Sequence, residues 1–206
     1  MELVVNTFLT VDGVYQGPGG RNEDRSEGFE RGGWLAPHFD ETAAQFMDGV
    51  FDRVDAFLLG RRTYDIFASY WPTVTDPENK VANRLNNLPK YVASTTLKDP
   101  EWNNSSVIEG DLATGVRKLK QQEGRELQVH GSGRLVQFLL DNDLVDRLNL
   151  QVFPVILGAG RRFFATSGIA TRLVLEKSQT TGSGVTISTY RTNGRPEFRD
   201  VDATDS

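Results

Sequence analysis

The chain of 206 residues contains no cysteine and only two histidines, His38 and His130. The absence of cysteine excludes disulfide bonds, thiolate metal ligands and cysteine nucleophiles. Two histidines leave few parts for a histidine metal cluster or a Ser–His–Asp triad, and we expect no metal site. No segment approaches the roughly 20 apolar residues that cross a bilayer, and the first residues lack the pattern of a signal peptide. We therefore expect a cytoplasmic protein without a membrane partner.

Positive charge is also in deficit, because the chain has 23 Lys and Arg against 28 Asp and Glu, which gives a formal net charge of −5. A nucleic-acid-binding protein needs a basic face to neutralise phosphates, so this balance disfavours a nucleic-acid partner. A small anionic ligand remains compatible with it, since a few arginines and backbone N–H groups suffice to bind phosphate. The hydrophobic content of 38% suits a single folded domain.

Apolar, β-branched segments alternate with helical patterns along the first two thirds of the chain. Strands are predicted at residues 2–11, 55–60, 90–94 and 126–130, and helices at 40–50, 61–69, 77–87, 111–122 and 134–140. Three further strands then follow without helices, at residues 145–157, 171–181 and 184–192. This order predicts an α/β fold with a mainly parallel central sheet and antiparallel C-terminal strands. We expect one domain over residues 1–192 and a flexible tail over 193–206.

A long segment rich in glycine, proline and charge occupies residues 12–37, directly after the first predicted strand. Loops of this length inside compact domains are usually functional or mobile. The alternative is a plain surface insertion.

Two strand-to-helix junctions have the chemistry of phosphate sites. At residues 60–63 a buried strand ends in Gly60, and the next helix begins with Arg61, Arg62 and Thr63. At residues 130–135 (HGSGRL) a second strand meets a helix through two glycines. Helix N-termini favour anions, and glycine lets a pyrophosphate approach the backbone. The alternatives are a solvated helix start and an ordinary tight turn, since Val136 stands where a dinucleotide fingerprint has its third glycine.

Six motifs in order resemble the dihydrofolate reductase superfamily, and most closely the reductase domain of the riboflavin-biosynthesis deaminase–reductases. They lie at residues 9–14 (LTVDGV), 58–64 (LLGRRTY), 90–94 (KYVAS), 131–135 (GSGRL), 144–150 (LVDRLNL) and 154–160 (PVILGAG). The resemblance covers residues 2–192. It implies the three-layer dihydrofolate-reductase-like fold and NADPH as the cofactor.

The resemblance also implies which residues hold the cofactor. Gly60, Arg61, Thr63 and Ser94 are expected to hold the 2′-phosphate and the pyrophosphate. The glycine turn is expected to wrap the pyrophosphate, and it consists of Gly131, Ser132 and Gly133 with the following Arg134 and Leu135. The nicotinamide end is assigned to Thr7, Phe8, Asp12, Gly13 and Val14.

The implied activity is hydride transfer from NADPH to a small polar substrate, with 5-amino-6-(5-phosphoribosylamino)uracil of riboflavin synthesis as the candidate. Asp40 and Glu41 are candidate proton donors, as is water, and Trp34, Trp71 and Phe153 are candidate substrate contacts. Folate reduction is disfavoured because Ala44 stands where the family's pterin-binding carboxylate is expected. The alternatives are a reductase of a pterin-like or other substrate, a nucleotide-binding protein without turnover, and a flavin-binding protein.

A homodimer is expected through the C-terminal strands, residues 145–192. Their apolar character would leave an association-prone edge if nothing covered it, and the riboflavin-type reductases that the chain resembles pair there. The alternative is a monomer whose edge is covered by the tail.

Overall fold

The computed structural model describes residues 1–164 and 166–200. Within them, eight strands form one sheet: β1 (Glu2–Thr10), β2 (Val54–Gly60), β3 (Lys90–Ala93), β4 (Ser105–Val107), β5 (Glu126–His130), β6 (Arg147–Phe153), β7 (Leu173–Thr180) and β8 (Thr186–Thr192). Five α-helices join them: α1 (Glu41–Arg53), α2 (Arg61–Tyr70), α3 (Lys80–Asn87), α4 (Leu112–Lys120) and α5 (Gly133–Asp141).

The sheet order is β4-β3-β2-β5-β1-β6-β8-β7. The pairs from β4 through β6 are parallel, whereas β8 is antiparallel to both β6 and β7. The predicted α/β class, with a mainly parallel sheet and antiparallel C-terminal strands, is confirmed.

Alternating residues of the central strands face two helical layers. Leu58 packs with α4 and α5 in one hydrophobic cluster, whereas its neighbours Phe57 and Leu59 pack with α1, α2 and α3 in another. This period of two is what a strand buried on both faces requires. The fold is therefore a three-layer α/β/α arrangement.

Side-chain caps begin three of the helices. The carboxylates of Asp40 and Asp111 accept hydrogen bonds from the N–H groups of Ala43 and Thr114, and Asn79 caps α3 in the same way. Each cap satisfies a donor that the first helical turn leaves unpaired. Asp40 and Asp111 thus fix the starts of α1 and α4.

The predicted strand over 145–157 ends earlier, at Phe153. Pro154 has no N–H to donate to the neighbouring strand, and the chain turns away, leaving Ile156 72% exposed. The continuously apolar residues 154–157 are therefore outside the sheet. A tight turn joins β7 to β8, with Gly184 at a φ of +85°.

The segment after β8 makes contacts at its start. The N–H of Asn193 donates to the carbonyl of Arg172, and the carbonyl of Gly194 accepts from the N–H of Arg172. Arg195 pairs with Asp143 at 2.8 Å. The end of the expected tail, residues 201–206, lies outside the described residues.

Candidate active site

A cavity of about 910 Å³ opens where several parallel strands end. Phe8 near the end of β1, Gly60 of β2, Ala93 of β3 and His130 of β5 all line it. Open α/β sheets bind ligands at the carboxyl ends of their strands. The cavity thus lies where the fold offers a ligand site.

The polar end of the cavity is built by the starts of α2 and α5. The hydroxyl of Ser132 accepts from the N–H of Gly60 at 3.1 Å and donates to Thr63 Oγ1 at 2.7 Å, so it connects the two helix starts. Gly131 and Ser132 both have left-handed backbone angles, with φ of +56° and +59°. This turn directs two sets of free N–H groups, with the positive ends of both helix dipoles, toward one place.

Two arginines beside this end are paired with acidic residues of the long loop. Arg161 contacts the carboxylate of Asp24 and lies 3.1 Å from Glu27, whereas Arg62 lies 3.9 Å and 3.7 Å from the same two carboxylates. The hydroxyl of Ser26 accepts from Arg62 at 2.5 Å and from Arg161 at 2.8 Å. The loop thus places carboxylates against cations at the cavity.

Asp24 stays ionised in this arrangement. Burial by itself would raise the pKa of its carboxyl, but hydrogen bonds from Ser26 and the charges of Arg161 and Arg62 outweigh that effect, so the pKa is lowered. Tyr15, from the same loop, lies over the glycine turn. A Cβ atom on Gly133 would come within 3.0 Å of its ring.

The other end of the cavity is aromatic and apolar. It is lined by Phe8, Phe39, Met47, Phe51, Phe67 and Trp71. Phe8 packs edge-on against Phe39 at 6.3 Å between ring centroids, and Phe67 against Trp71 at 6.2 Å. Such a surface suits a planar ring.

His130 stands at this aromatic end, stacked on Phe51 at 5.2 Å. Burial lowers the pKa of His130 to about 4, because the charged imidazolium loses its hydration. The ring is therefore neutral at physiological pH. Below it on the same face of β5, Gln128 bonds to His130, and Glu126 bonds to both Gln128 and Arg53.

Nine of the fourteen residues assigned to the cofactor line the cavity. They are Thr7, Phe8, Gly60, Arg61, Thr63, Gly131, Ser132, Arg134 and Leu135. Gly133 adjoins it through Tyr15.

The remaining four are outside the cavity lining. Asp12 accepts from Thr10 and from the N–H groups of residues 157 and 158, Gly13 forms the turn after β1, and Val14 is buried. Ser94 accepts from the N–H groups of Thr96 and Leu97, which closes a local turn. The side chains of Asp12 and Ser94 are therefore engaged within the protein itself.

The two candidate proton donors also lie outside the cavity lining. Asp40 caps α1, and its second oxygen accepts from the N–H of Ser183 at 2.9 Å. Hydrogen bonds from Ala43 and Ser183 lower the pKa of Asp40 to about 2. Glu41 is exposed and accepts from Gln45. These positions favour structural roles for both residues.

Of the three candidate aromatic contacts, Trp71 lines the cavity. Trp34 and Phe153 instead pack against each other at 5.5 Å in a separate buried cluster with Phe29, Val185 and Ile187. The sequence interpretation did not select Asn6, Tyr15, Asp24, His130 or Arg161. Asn6 carried a signal, as a polar residue within the apolar run of β1, whereas β5 (ELQVH) contains other polar residues and gave His130 no such signal.

Among the described residues, no group of three or more His, Asp and Glu side chains is arranged to hold a metal ion. None of the helices in the described part of the chain has the length and apolarity to cross a membrane.

The sheet, the two helical layers and the cavity at the strand ends define a dihydrofolate-reductase-like α/β protein. A family profile, the RibD C-terminal domain, matches residues 2–187. The chain therefore belongs to the RibD C-terminal domain family, a reductase-like family of the riboflavin-biosynthesis type.

Known proteins of similar sequence or structure match nearly the whole chain. The uncharacterized protein YyaP of Bacillus subtilis is 26% identical over 194 residues, covering 93% of this chain and 95% of that protein. A putative riboflavin biosynthesis protein from Shewanella sp. PV-4 superposes with a TM-score of 0.67 at 21% identity, covering 94% and 99%. A pyrimidine reductase-like protein from Corynebacterium diphtheriae superposes with a TM-score of 0.61 at 16% identity, covering 97% and 92%. At these identities the two structures establish the fold.

Proposed function

We propose that this chain is an NADPH-dependent reductase that transfers a hydride to a small heterocyclic substrate. The observation that carries the proposal is that one cavity joins a polar end suited to phosphate to an aromatic end suited to a ring. A dinucleotide with phosphates at one end and a nicotinamide at the other matches this division. The membership of a reductase-like family supports the same proposal.

The donors at the polar end fit the phosphates of NADPH. The N–H groups at the starts of α2 and α5 suit the pyrophosphate, and Arg61, Arg62 and Arg161 offer forked donors for phosphate oxygens. When bound, NADPH supplies the hydride. The side chains of the aromatic end hold the acceptor ring beside it and exclude water.

Binding at this end requires an exchange of partners. The carboxylates of Asp24 and Glu27 occupy Arg62 and Arg161, and Tyr15 lies on the glycine turn. A phosphate has to replace these carboxylates, so residues 15–27 move when the ligand enters. Of the candidate proton sources Asp40, Glu41 and water, the two carboxylates lie outside the cavity lining, which favours water.

The substrate candidates are 5-amino-6-(5-phosphoribosylamino)uracil and pterin-like rings. A screen of NADPH oxidation, followed by absorbance, tests them side by side. Turnover of a candidate supports the reductase. NADPH binding with no oxidation across the screen would identify a nucleotide-binding protein instead.

The variant Arg61→Ala tests the cofactor assignment. Arg61 lines the cavity and is held by Asp65 at 2.8 Å. If it binds the 2′-phosphate, the variant loses about 1.5–3 kcal/mol of NADPH binding and little NADH binding. Arg117→Ala on α4, an exposed arginine outside the cavity lining, is the control. Equal weakening of both nucleotides in Arg61→Ala would contradict the assignment.

A further inference from the structure

Two polar side chains stand next to each other at the aromatic end of the cavity. Asn6 of β1 and His130 of β5 are register partners in adjacent parallel strands, and both line the cavity. Partnered residues of neighbouring strands project from the same face of the sheet. Both are buried, with 3% and 8% of their surface exposed.

The orientation of the Asn6 amide is fixed by its oxygen, and its NH₂ group has no hydrogen-bond partner among the described residues. Its Oδ1 accepts from Asn149 Nδ2 at 2.8 Å, and Asn149 Oδ1 accepts from Thr189 Oγ1 at 2.8 Å. The Asn6 Nδ2 atom is buried and has no partner among the described residues. Ser105 Oγ and Gln151 Oε1 are also buried without a hydrogen-bond partner among the described residues, but neither residue lines the cavity. An unsatisfied buried donor is costly, so a ligand that accepts from it is favoured.

The imidazole of His130 is fixed in one tautomer. Gln128 Nε2 donates to the carbonyl of Val50 at 2.8 Å and to Glu126 Oε2 at 2.6 Å, so Gln128 Oε1 faces His130. His130 Nε2, 3.0 Å from that oxygen, must therefore carry the proton. His130 Nδ1 is left as a lone-pair acceptor, and no described residue donates to it.

We propose that Asn6 and His130 read the lactam edge of an uncharged planar heterocycle. The ring carbonyl accepts from Asn6 Nδ2, and the adjacent ring N–H donates to His130 Nδ1. A side-by-side donor and acceptor match this edge and reject a ring that lacks the N–H. This substrate class rests on the proposed function, since it places the acceptor ring at the aromatic end.

The surroundings favour a ring without charge. Asn6 and His130 are neutral and buried, His130 stacks on Phe51, and Phe8 and Met47 line the same cavity. A charged group buried there would lose its hydration without gaining an opposite charge. The cations that line the cavity belong to the starts of α2 and α5 and to Arg161.

The probe is lumazine, a pteridinedione with lactam edges, compared with 1,3-dimethyllumazine, which keeps the ring and lacks the lactam N–H groups. Binding is measured by calorimetry without reduced cofactor in weakly acidic buffer, so that no turnover occurs. We expect the wild-type protein to bind lumazine at least about tenfold more tightly than its dimethyl form, as lost hydrogen bonds at a buried polar site require.

Two conservative variants separate hydrogen bonding from the bulk of the methyl groups. Asn6→Leu keeps the side-chain volume without adding a charge and removes the free NH₂ group. His130→Gln keeps an N–H for Gln128 Oε1 and removes the Nδ1 acceptor. Each is expected to lower lumazine affinity by about tenfold while changing the affinity for the dimethyl form much less. Circular dichroism verifies that both variants fold.

Equal affinity of the wild-type protein for the two probes would overturn the inference. So would the absence of lumazine binding, or variants that weaken both probes equally. A separate NADPH titration of the wild-type protein distinguishes this failure from that of the proposed function. If the wild-type protein binds NADPH but does not distinguish lumazine from its dimethyl form, only the recognition of the lactam edge by Asn6 and His130 is rejected. If it does not bind NADPH, the proposed reductase function is rejected.

Discussion

Replacing Asp24 with asparagine tests whether the long loop competes with a phosphate ligand. In the wild-type protein, Asp24 Oδ1 accepts from Ser26, while Oδ2 faces Arg161 and Arg62. Asparagine keeps the first oxygen and places an NH₂ group toward the two guanidiniums. The variant therefore removes the charged contacts and preserves the local turn.

The magnitude follows mainly from Arg161. The Asp24 side chain is only 8% exposed and that of Arg161 17%, so this pair is poorly screened and contributes about 1.5–3 kcal/mol as a charge-assisted hydrogen bond. Arg62 is half exposed and 3.9 Å away, and adds little. The free energy of unfolding without ligand should fall by this amount. Because NADPH no longer has to displace the carboxylate, its affinity should rise by up to about 10- to 100-fold.

The assay is a pair of measurements on each variant: urea unfolding without ligand and NADPH titration. Glu30→Gln is the control, since Glu30 belongs to the same loop and, among the described residues, pairs only with the exposed Arg25. We expect it to change neither quantity appreciably. If Asp24→Asn lowers stability and leaves NADPH affinity unchanged or weaker, the carboxylate does not compete with the ligand and the reasoning is wrong.

Three further predictions concern pH, the glycine turn and assembly. The pKa of His130 is about 4 in the folded protein and about 6.5 in the unfolded chain. The unfolded chain therefore gains a proton first as the pH falls below about 6.5, which lowers the free energy of unfolding. The free energy of unfolding should fall by roughly 3 kcal/mol between pH 6.5 and pH 4. The urea midpoint of His130→Gln should not show this part of the pH dependence. Gly131→Val, at a φ of +56°, should abolish NADPH binding in a titration, with some loss of stability from the strained backbone; normal binding would make the turn purely structural. We propose a homodimer through residues 145–192, so light scattering should give twice the chain mass, and a charge at Leu175, 53% exposed on edge strand β7, should reduce it. A monomer at micromolar concentration would contradict it.

The fold was largely predictable because its signals are local. Apolar β-branched runs and N-caps such as Asp40 and Asp111 act within a few residues. The order of strands and helices then restricts the topology. The short strand β4 was not predicted, since its three residues, Ser105–Val107, are too few to show a period. The end of β6 was misplaced because hydrophobicity outweighed the missing N–H of Pro154.

The candidate site was predictable only where a backbone pattern defines it. The starts of α2 and α5 are recognisable from glycine next to arginine and serine. Ser94 illustrates the limit, because a serine after a strand is equally suited to a ligand and to its own turn, and here it accepts from Thr96 and Leu97. The pair Asn6 and His130 depends on strand register, which a single sequence does not reveal.

The acidic net charge and the proposed anionic ligand are reconciled by the long loop. The chain carries five more acidic than basic residues, yet Arg62 and Arg161 are gathered beside the glycine turn. Their charges are balanced by Asp24 and Glu27 of the loop, not by distant surface residues. In such a site the carboxylates of the loop neutralise the arginines until the ligand binds, and the phosphates of the ligand then replace these carboxylates. A cofactor with several phosphates would thus exchange one set of ion pairs for another, so its affinity depends on the loop as much as on the arginines.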